Sequence, residues 1–273
     1  MNDVAKMYDL KGRVAVVTGG AGLLGAGFCR TLAGAGAHVV VSDLNIATST
    51  RVAEELCNQG LSAIAVETDV TRAESVREMV GAALNSFGRL DILVNSAALD
   101  PKFDPSHGKV YSNSFEDYPL EEWNQALNVN LTGVFLSCQA VARPMLSQGS
   151  GSIINICSTY GLVGPDQRIY EKEGEPTRYK PAYYSTTKAG VIGFTRYLAA
   201  YYAGKNLRVN ALTPGGVFNG HDEVFEKAYS SRTIMGRMAR KDEMNGALLF
   251  LASDASSYMT GSNLVVDGGW TAW

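Results

Sequence analysis

A chain of 273 residues that is 46% hydrophobic and 19% charged can bury the core of one large α/β domain. A net charge of −3 with no basic stripe argues against nucleic acid, and no apolar run reaches the length of a bilayer span. The start, Met1-Asn2-Asp3-Val4-Ala5-Lys6, lacks the basic-then-apolar form of a secretory leader, so a cytoplasmic protein is expected.

Apolar strands and helices alternate along the chain. Residues 14–18 read as a first strand, followed by a glycine-rich turn and a helix to about residue 32. A second strand covers 37–42 and ends at Asp43, before a helix over 47–59. A third strand at 63–67 closes at Asp69, and a helix runs over 71–87 with Thr71 offered as its N-cap. A fourth strand is expected at 92–95, one long helix at 120–147 and a fifth strand at 152–157. A helix at 182–203, a sixth strand at 207–212, a helix at 242–251 and a last strand at 263–266 complete the series. This alternation predicts an α/β fold of the doubly wound, Rossmann type: a parallel sheet of about seven strands with helices on both faces. No linker or repeat divides it, so a single domain over 1–273 is expected. The segments 99–119 and 160–181 are unusually long and follow strand ends, where such sheets bind ligands. The cysteines Cys29, Cys57, Cys138 and Cys157 have no C-x-x-C spacing; reduced, mostly buried thiols and no metal site are expected.

Thr18-Gly19-Gly20-Ala21-Gly22-Leu23-Leu24-Gly25 joins the first strand to the first helix. Glycines there let backbone approach a pyrophosphate at a helix N-terminus. Asp43, 18 residues past Gly25, can accept hydrogen bonds from both ribose hydroxyls of NAD and repel the extra phosphate of NADP; the competing role is to cap the next helix. Asp69 can meet an adenine or simply close an exposed turn. Tyr184 and Lys188 stand four residues apart, one helical turn, and so share a face. A cation beside a phenol favours phenolate, which predicts a lowered Tyr184 pKa and an acid–base group for an alcohol or ketone.

With these features in view, nearly the whole chain resembles the compact branch of the short-chain dehydrogenase/reductase family. The likeness rests on the glycine turn, Asp43, Asp69-Val70, Asn95, Asn128-Val129-Asn130-Leu131-Thr132-Gly133, Ile154-Asn155-Ile156-Cys157-Ser158, Tyr184-x-x-x-Lys188, and Asn210-Ala211-Leu212-Thr213-Pro214-Gly215-Gly216-Val217, in that order. The resemblance implies four catalytic residues: Tyr184 as general acid/base, Ser158 holding the substrate oxygen, Lys188 on the nicotinamide ribose, and Asn130 holding a relay water. Thr159 and Asn128 are the rival candidates for the roles of Ser158 and Asn130. It also implies NAD contacts from Gly19, Gly22, Leu24, Gly25, Asp43, Asp69, Val70, Asn95, Tyr184, Lys188, Pro214, Gly215 and Val217. A homodimer or homotetramer is implied as well, with the helices at 120–147 and 182–203 as contact faces.

Three features depart from the family pattern. Leu23 stands where glycine is usual, so the turn also fits the longer, sugar-nucleotide-modifying branch. Asn95-Ser96-Ala97-Ala98 replaces Asn-Asn-Ala-Gly. Ser158 and Tyr184 are 26 residues apart, about twice the habitual spacing, through a charged insertion at 165–181. Arg168, Lys172, Arg178, Lys180, Lys102 and His107 offer donors, and Tyr160, Tyr170, Tyr179 and Tyr183 offer flat faces. They suit a sugar, amino sugar, polyol or sugar phosphate, unless the insertion is only a solvated loop. A narrower likeness is to dehydrogenases of bacterial flagellin-glycan and nonulosonate pathways. The alternatives are a 3-oxoacyl-type ketone reductase, an epimerase or dehydratase, and a non-catalytic NAD-binding protein. The segment 217–236 is the third expected substrate loop.

Overall fold

The computed structural model describes residues 3–100, 113–175 and 177–273. Its strands are β1 (Val14–Thr18), β2 (His38–Asp43), β3 (Ala63–Glu67), β4 (Ile92–Asn95), β5 (Gly151–Ile156), β6 (Leu207–Pro214) and β7 (Asn263–Val266). All pair in parallel in one sheet, ordered β3-β2-β1-β4-β5-β6-β7. The helices are α1 (Asp3–Met7), α2 (Gly25–Gly34), α3 (Ile46–Asn58), α4 (Ala73–Phe87), α5 (Leu120–Leu127), α6 (Gly133–Gln148), α7 (Ala182–Tyr201), α8 (Glu223–Ser230) and α9 (Asn245–Ala252).

The central strands carry apolar runs, Val14–Val17, Val39–Val41 and Ile92–Val94, because both faces are covered, and successive residues feed opposite cores. Val16, Leu93, Ile153 and Val209 pack with Met79 of α4, Met145 of α6 and Val191 of α7. Ala15, Val17, Val94, Ile154 and Leu212 pack instead with Phe28 and Leu32 of α2 and Leu248 and Leu251 of α9. Strand order reverses between β1 and β4. The loops leaving those two strands therefore part in opposite directions and open a crevice at the carboxyl edge of the sheet.

Three local expectations are corrected. The helix expected over 120–147 is interrupted by a π turn at Asn128–Thr132, an insertion that a helical period does not reveal. Gly133 follows it, where an added Cβ would come within 2.8 Å of the Val70 side chain, so the helix crosses β3's exit loop at close range. Thr71 is not an N-cap. Its N–H and hydroxyl both donate to Asp69 at 2.9 and 2.7 Å, closing a turn before α4 begins at Ala73. The amphipathic α8 was missed; Asp222 caps it by accepting from the Phe225 N–H at 3.0 Å. Of the cysteines, Cys57 is exposed while Cys29, Cys138 and Cys157 are buried. No described helix is long and apolar enough to cross a membrane.

Candidate active site

One cavity of about 1370 Å³ occupies the crevice and runs from the glycine turn to the 165–181 insertion. Gly19, Gly22, Leu24 and Gly25 line one end with Asp43, Asp69 and Val70. The glycine positions of the turn have no space for side chains. Gly19 adopts φ +64°, and its added Cβ would stand 2.8 Å from the Ala97 backbone. On Gly25 a Cβ would fall 2.0 Å from the Gly19 carbonyl oxygen. The cradle is thus bare backbone facing a cavity, the form that admits a pyrophosphate beside a helix N-terminus. Asp43 completes it from the end of β2. One of its oxygens accepts from the Ala21 N–H at 3.1 Å and the other from Asn45 at 3.3 Å. Asn45, not Asp43, caps α3. This donor and acceptor set, bare amides next to a carboxylate, fits a dinucleotide.

The other end holds Ser158, Tyr184, Lys188, Pro214, Gly215 and Val217. Ser158 leaves β5 with its hydroxyl accepting from the Tyr160 N–H at 3.2 Å and paired with the Tyr184 hydroxyl. Thr159, its rival, also lines the cavity, but its side chain is only 2% exposed. Lys188 is buried and donates to the Ile156 carbonyl at 3.0 Å, with its ammonium 5.8 Å from the Tyr184 ring centre. Burial pushes the Tyr184 hydroxyl well above the ordinary tyrosine range, with Asp100 adding to the rise; the Ser158 hydrogen bond opposes both. Burial outweighs the lowering expected from Lys188. Burial depresses the Lys188 pKa as well.

Two expected residues lie behind the lining. Asn95 is buried and donates to Asn155 Oδ1 at 2.8 Å; Asn155 in turn donates to Thr195 at 2.9 Å, a polar thread tying β4 and β5 to α7. Asn130 sits in the π turn with its side chain committed to Leu99, accepting from the N–H at 2.6 Å and donating to the carbonyl at 3.0 Å. A longer bond of 3.4 Å reaches Thr187 of α7.

The insertion is part of the cavity wall and not only a solvated loop. Lys172, Glu175, Arg178 and Lys180 line it, as do Tyr160 and Tyr170, whose hydroxyls are 3.1 Å apart. Lys172 bridges to Asp222 at 3.0 Å, and Asp166 pairs with Arg232, so the insertion is strapped to the segment carrying α8. Arg168 turns away to an exposed pair with Asp166. Tyr179 and Tyr183 are not in the lining. Lys102 and His107, with most of the 99–119 segment, lie outside the described residues. Sequence reasoning found Tyr160 and Tyr170 on this wall but missed the rest of its aromatic side. Phe225 and Tyr229 line the cavity, Trp270 stacks on Tyr229 at 4.2 Å, and Gly216 must be glycine because Tyr229 fills the place of a side chain and accepts its N–H at 2.6 Å.

A family model described as "Enoyl-(Acyl carrier protein) reductase" matches residues 20–271. The chain belongs to the short-chain dehydrogenase/reductase family. A D-threitol dehydrogenase of Mycolicibacterium smegmatis is 35% identical over 269 residues, 97% of this chain and 95% of the relative. A 3-alpha-(or 20-beta)-hydroxysteroid dehydrogenase of Mycobacterium tuberculosis is 39% identical over 264 residues, 96% of this chain and 91% of the relative. Among solved structures, a gluconate 5-dehydrogenase from Burkholderia cenocepacia, in complex with NADP and tartrate, superposes with TM-score 0.85 at 32% identity, covering 99% of both chains. This chain is therefore an oxidoreductase of CH-OH groups. A polyol, a steroid and a sugar acid appear among its relatives, so membership fixes the reaction and leaves the substrate open.

Proposed function

We propose that this chain interconverts a secondary alcohol and its ketone using NAD in preference to NADP, with a polar, hydroxyl-rich substrate. The observation that carries this reading is the single cavity that joins the glycine cradle and Asp43 at one end to Ser158, Tyr184 and Lys188 at the other. NAD would be held by Gly19, Gly22, Leu24, Gly25, Asp43, Asp69, Val70, Pro214, Gly215 and Val217 and would supply the hydride acceptor. The chain itself provides binding, orientation and proton transfer. Ser158 donates to the substrate oxygen and fixes it against Tyr184. Tyr184 takes the proton from that oxygen on oxidation and returns it on reduction. Lys188 would hold the ribose hydroxyls of that cofactor. For Asn130 we assign a brace between the β4 loop and α7 rather than direct contact with a ligand, and for Asn95 a structural role, because their side chains are committed to protein partners. Asp43 favours NAD, since a carboxylate there repels an added ribose phosphate. The gluconate relative carries NADP, so the preference rests on Asp43 and not on kinship.

The substrate reading rests on the charged groups of the insertion that face the cavity. The narrower likeness to nonulosonate-pathway enzymes rests on the motifs alone. A second reading, a hydrophobic cyclic ketone, is favoured by Tyr160, Phe225 and Tyr229 on the same wall. A single domain over 1–273, cytoplasmic residence and a homodimer or homotetramer complete the proposal. NADH formation across a panel of polyols, sugar acids, amino-sugar alcohols and hydroxysteroids tests it. Turnover of the polar members is expected, and turnover of hydroxysteroids alone would overturn the substrate class.

A further inference from the structure

Lys180 is placed with unusual care for a residue on an inserted loop. Its backbone N–H donates to the Gln167 side-chain oxygen at 2.8 Å, and its carbonyl accepts from the Gln167 amide at 3.1 Å. That reciprocal pair ties the returning limb of the insertion to its outgoing limb four residues before Tyr184. The ammonium consequently lies over the Tyr184 ring, 4.0 Å from its centre and nearer than that of Lys188. The side chain is 9% exposed and faces the cavity.

A buried ammonium needs an anion beside it. In this structure the anion is Asp100, paired with Lys180 from the loop after β4. The two halves of the pair are unequal: Asp100 is 58% exposed and Lys180 is not. The carboxylate sits on the water side and can leave at little desolvation cost, whereas the lysine must keep a partner. Arg178 lines the same cavity, and its buried Nε has no hydrogen-bond partner among the described residues; its guanidinium reaches only Glu175, at 3.4 Å. One cation with an exchangeable partner thus lies over Tyr184, and a second, Arg178, lines the same cavity.

We propose that Lys180, assisted by Arg178, determines specificity for a substrate bearing a carboxylate near the reacting alcohol, with Asp100 holding the place of that carboxylate until substrate enters. This deepens the oxidoreductase reading and rests on it. The substrate class becomes hydroxy acids, including sugar acids, rather than neutral polyols. The exchange is a swap of one carboxylate for another on the same ammonium, so no charge is left buried alone.

The test pairs each acid with its neutral amide: gluconate with gluconamide, and 3-hydroxybutyrate with 3-hydroxybutyramide. NADH formation and calorimetric binding to the NAD-loaded protein are both measured. The wild type should prefer the acid by at least about tenfold, the scale of one charge-assisted hydrogen bond. Lys180→Met should bring that ratio close to one, Lys180→Arg should restore most of it, and Asp100→Asn should increase it by removing the competitor. Wild-type turnover of alcohols with no preference for acid over amide would overturn the role of Lys180 and leave the oxidoreductase reading standing. Absence of NADH from every alcohol would overturn the oxidoreductase reading, and the binding ratio would then decide Lys180 by itself. A ratio that survives Lys180→Met in a folded protein would also overturn the proposal.

Discussion

Gly25→Ala puts one methyl group into the glycine cradle, and its cost follows from the coordinates. The new Cβ would stand 2.0 Å from the Gly19 carbonyl oxygen and 2.9 Å from its carbon, both backbone atoms. Contact distances near 3.5 Å are ordinary, so something must move by more than about 1 Å. Gly19 has little room to retreat, because even a Cβ placed on it would stand 2.8 Å from the Ala97 backbone. Overpacking of this kind costs about 1–3 kcal/mol, and the absence of a flexible side chain to yield puts this case at the upper end. At about 3 kcal/mol the melting temperature should fall by roughly 6–12 °C for a chain of this size. NAD should bind about 10–100-fold more weakly, the loss of one charge-assisted hydrogen bond from a displaced backbone amide. The control is Gly81→Ala in the middle of α4, where nothing lies within 4 Å of the added Cβ. That change should stabilise by about 0.5–1 kcal/mol, since alanine is the better helix former. Differential scanning calorimetry and NAD titration read both variants. A Gly25→Ala protein with unchanged melting temperature and NAD affinity within twofold of wild type would refute the argument from close packing.

The Tyr184 pKa gives a second prediction. Because burial disfavours the phenolate, Tyr184 in the cofactor-free protein should remain protonated to above the ordinary tyrosine value of about 10. Ultraviolet titration of wild type against Tyr184→Phe reads this residue alone, and a difference signal rising below pH 9 would contradict it. Asp43→Asn should improve NADP binding by about tenfold relative to NAD, as the like-charge repulsion is removed while shape is kept; an unchanged ratio from cofactor titrations would show that Asp43 does not select.

The strands could be read in the sequence because a parallel sheet covered on both faces writes itself as unbroken apolar runs: Val14 to Val17 are all fully buried. The cradle was legible for a similar reason, as glycines between a strand and a helix have few other uses. The π turn was not, since one extra residue per turn leaves no mark on the periodicity of residues 120–147. Asn95 misled because its position at the end of β4 suits a ligand equally well, and only the partner 60 residues away, Asn155, shows that it belongs to the interior. Asp100 and Lys180 are separated by 80 residues, and no local pattern links them. The aromatic wall was legible only at Tyr160 and Tyr170, because Tyr229 and Trp270 join them only after the sheet is assembled. Spacing along the chain revealed what each strand end presents to the crevice, and tertiary structure alone revealed what faces it across the gap.

The central claim is that Tyr184 transfers the proton in an NAD-linked alcohol oxidation within the cavity it shares with the glycine cradle. Its most direct test is Tyr184→Phe, with kcat followed by NADH absorbance on whichever alcohol the wild type turns over and NAD affinity followed by calorimetry on the same preparation. The account predicts that kcat falls by about 10²–10⁴-fold, the usual contribution of a positioned acid–base group, while NAD binds within a few-fold of wild type. Retention of wild-type kcat by the phenylalanine variant would contradict it.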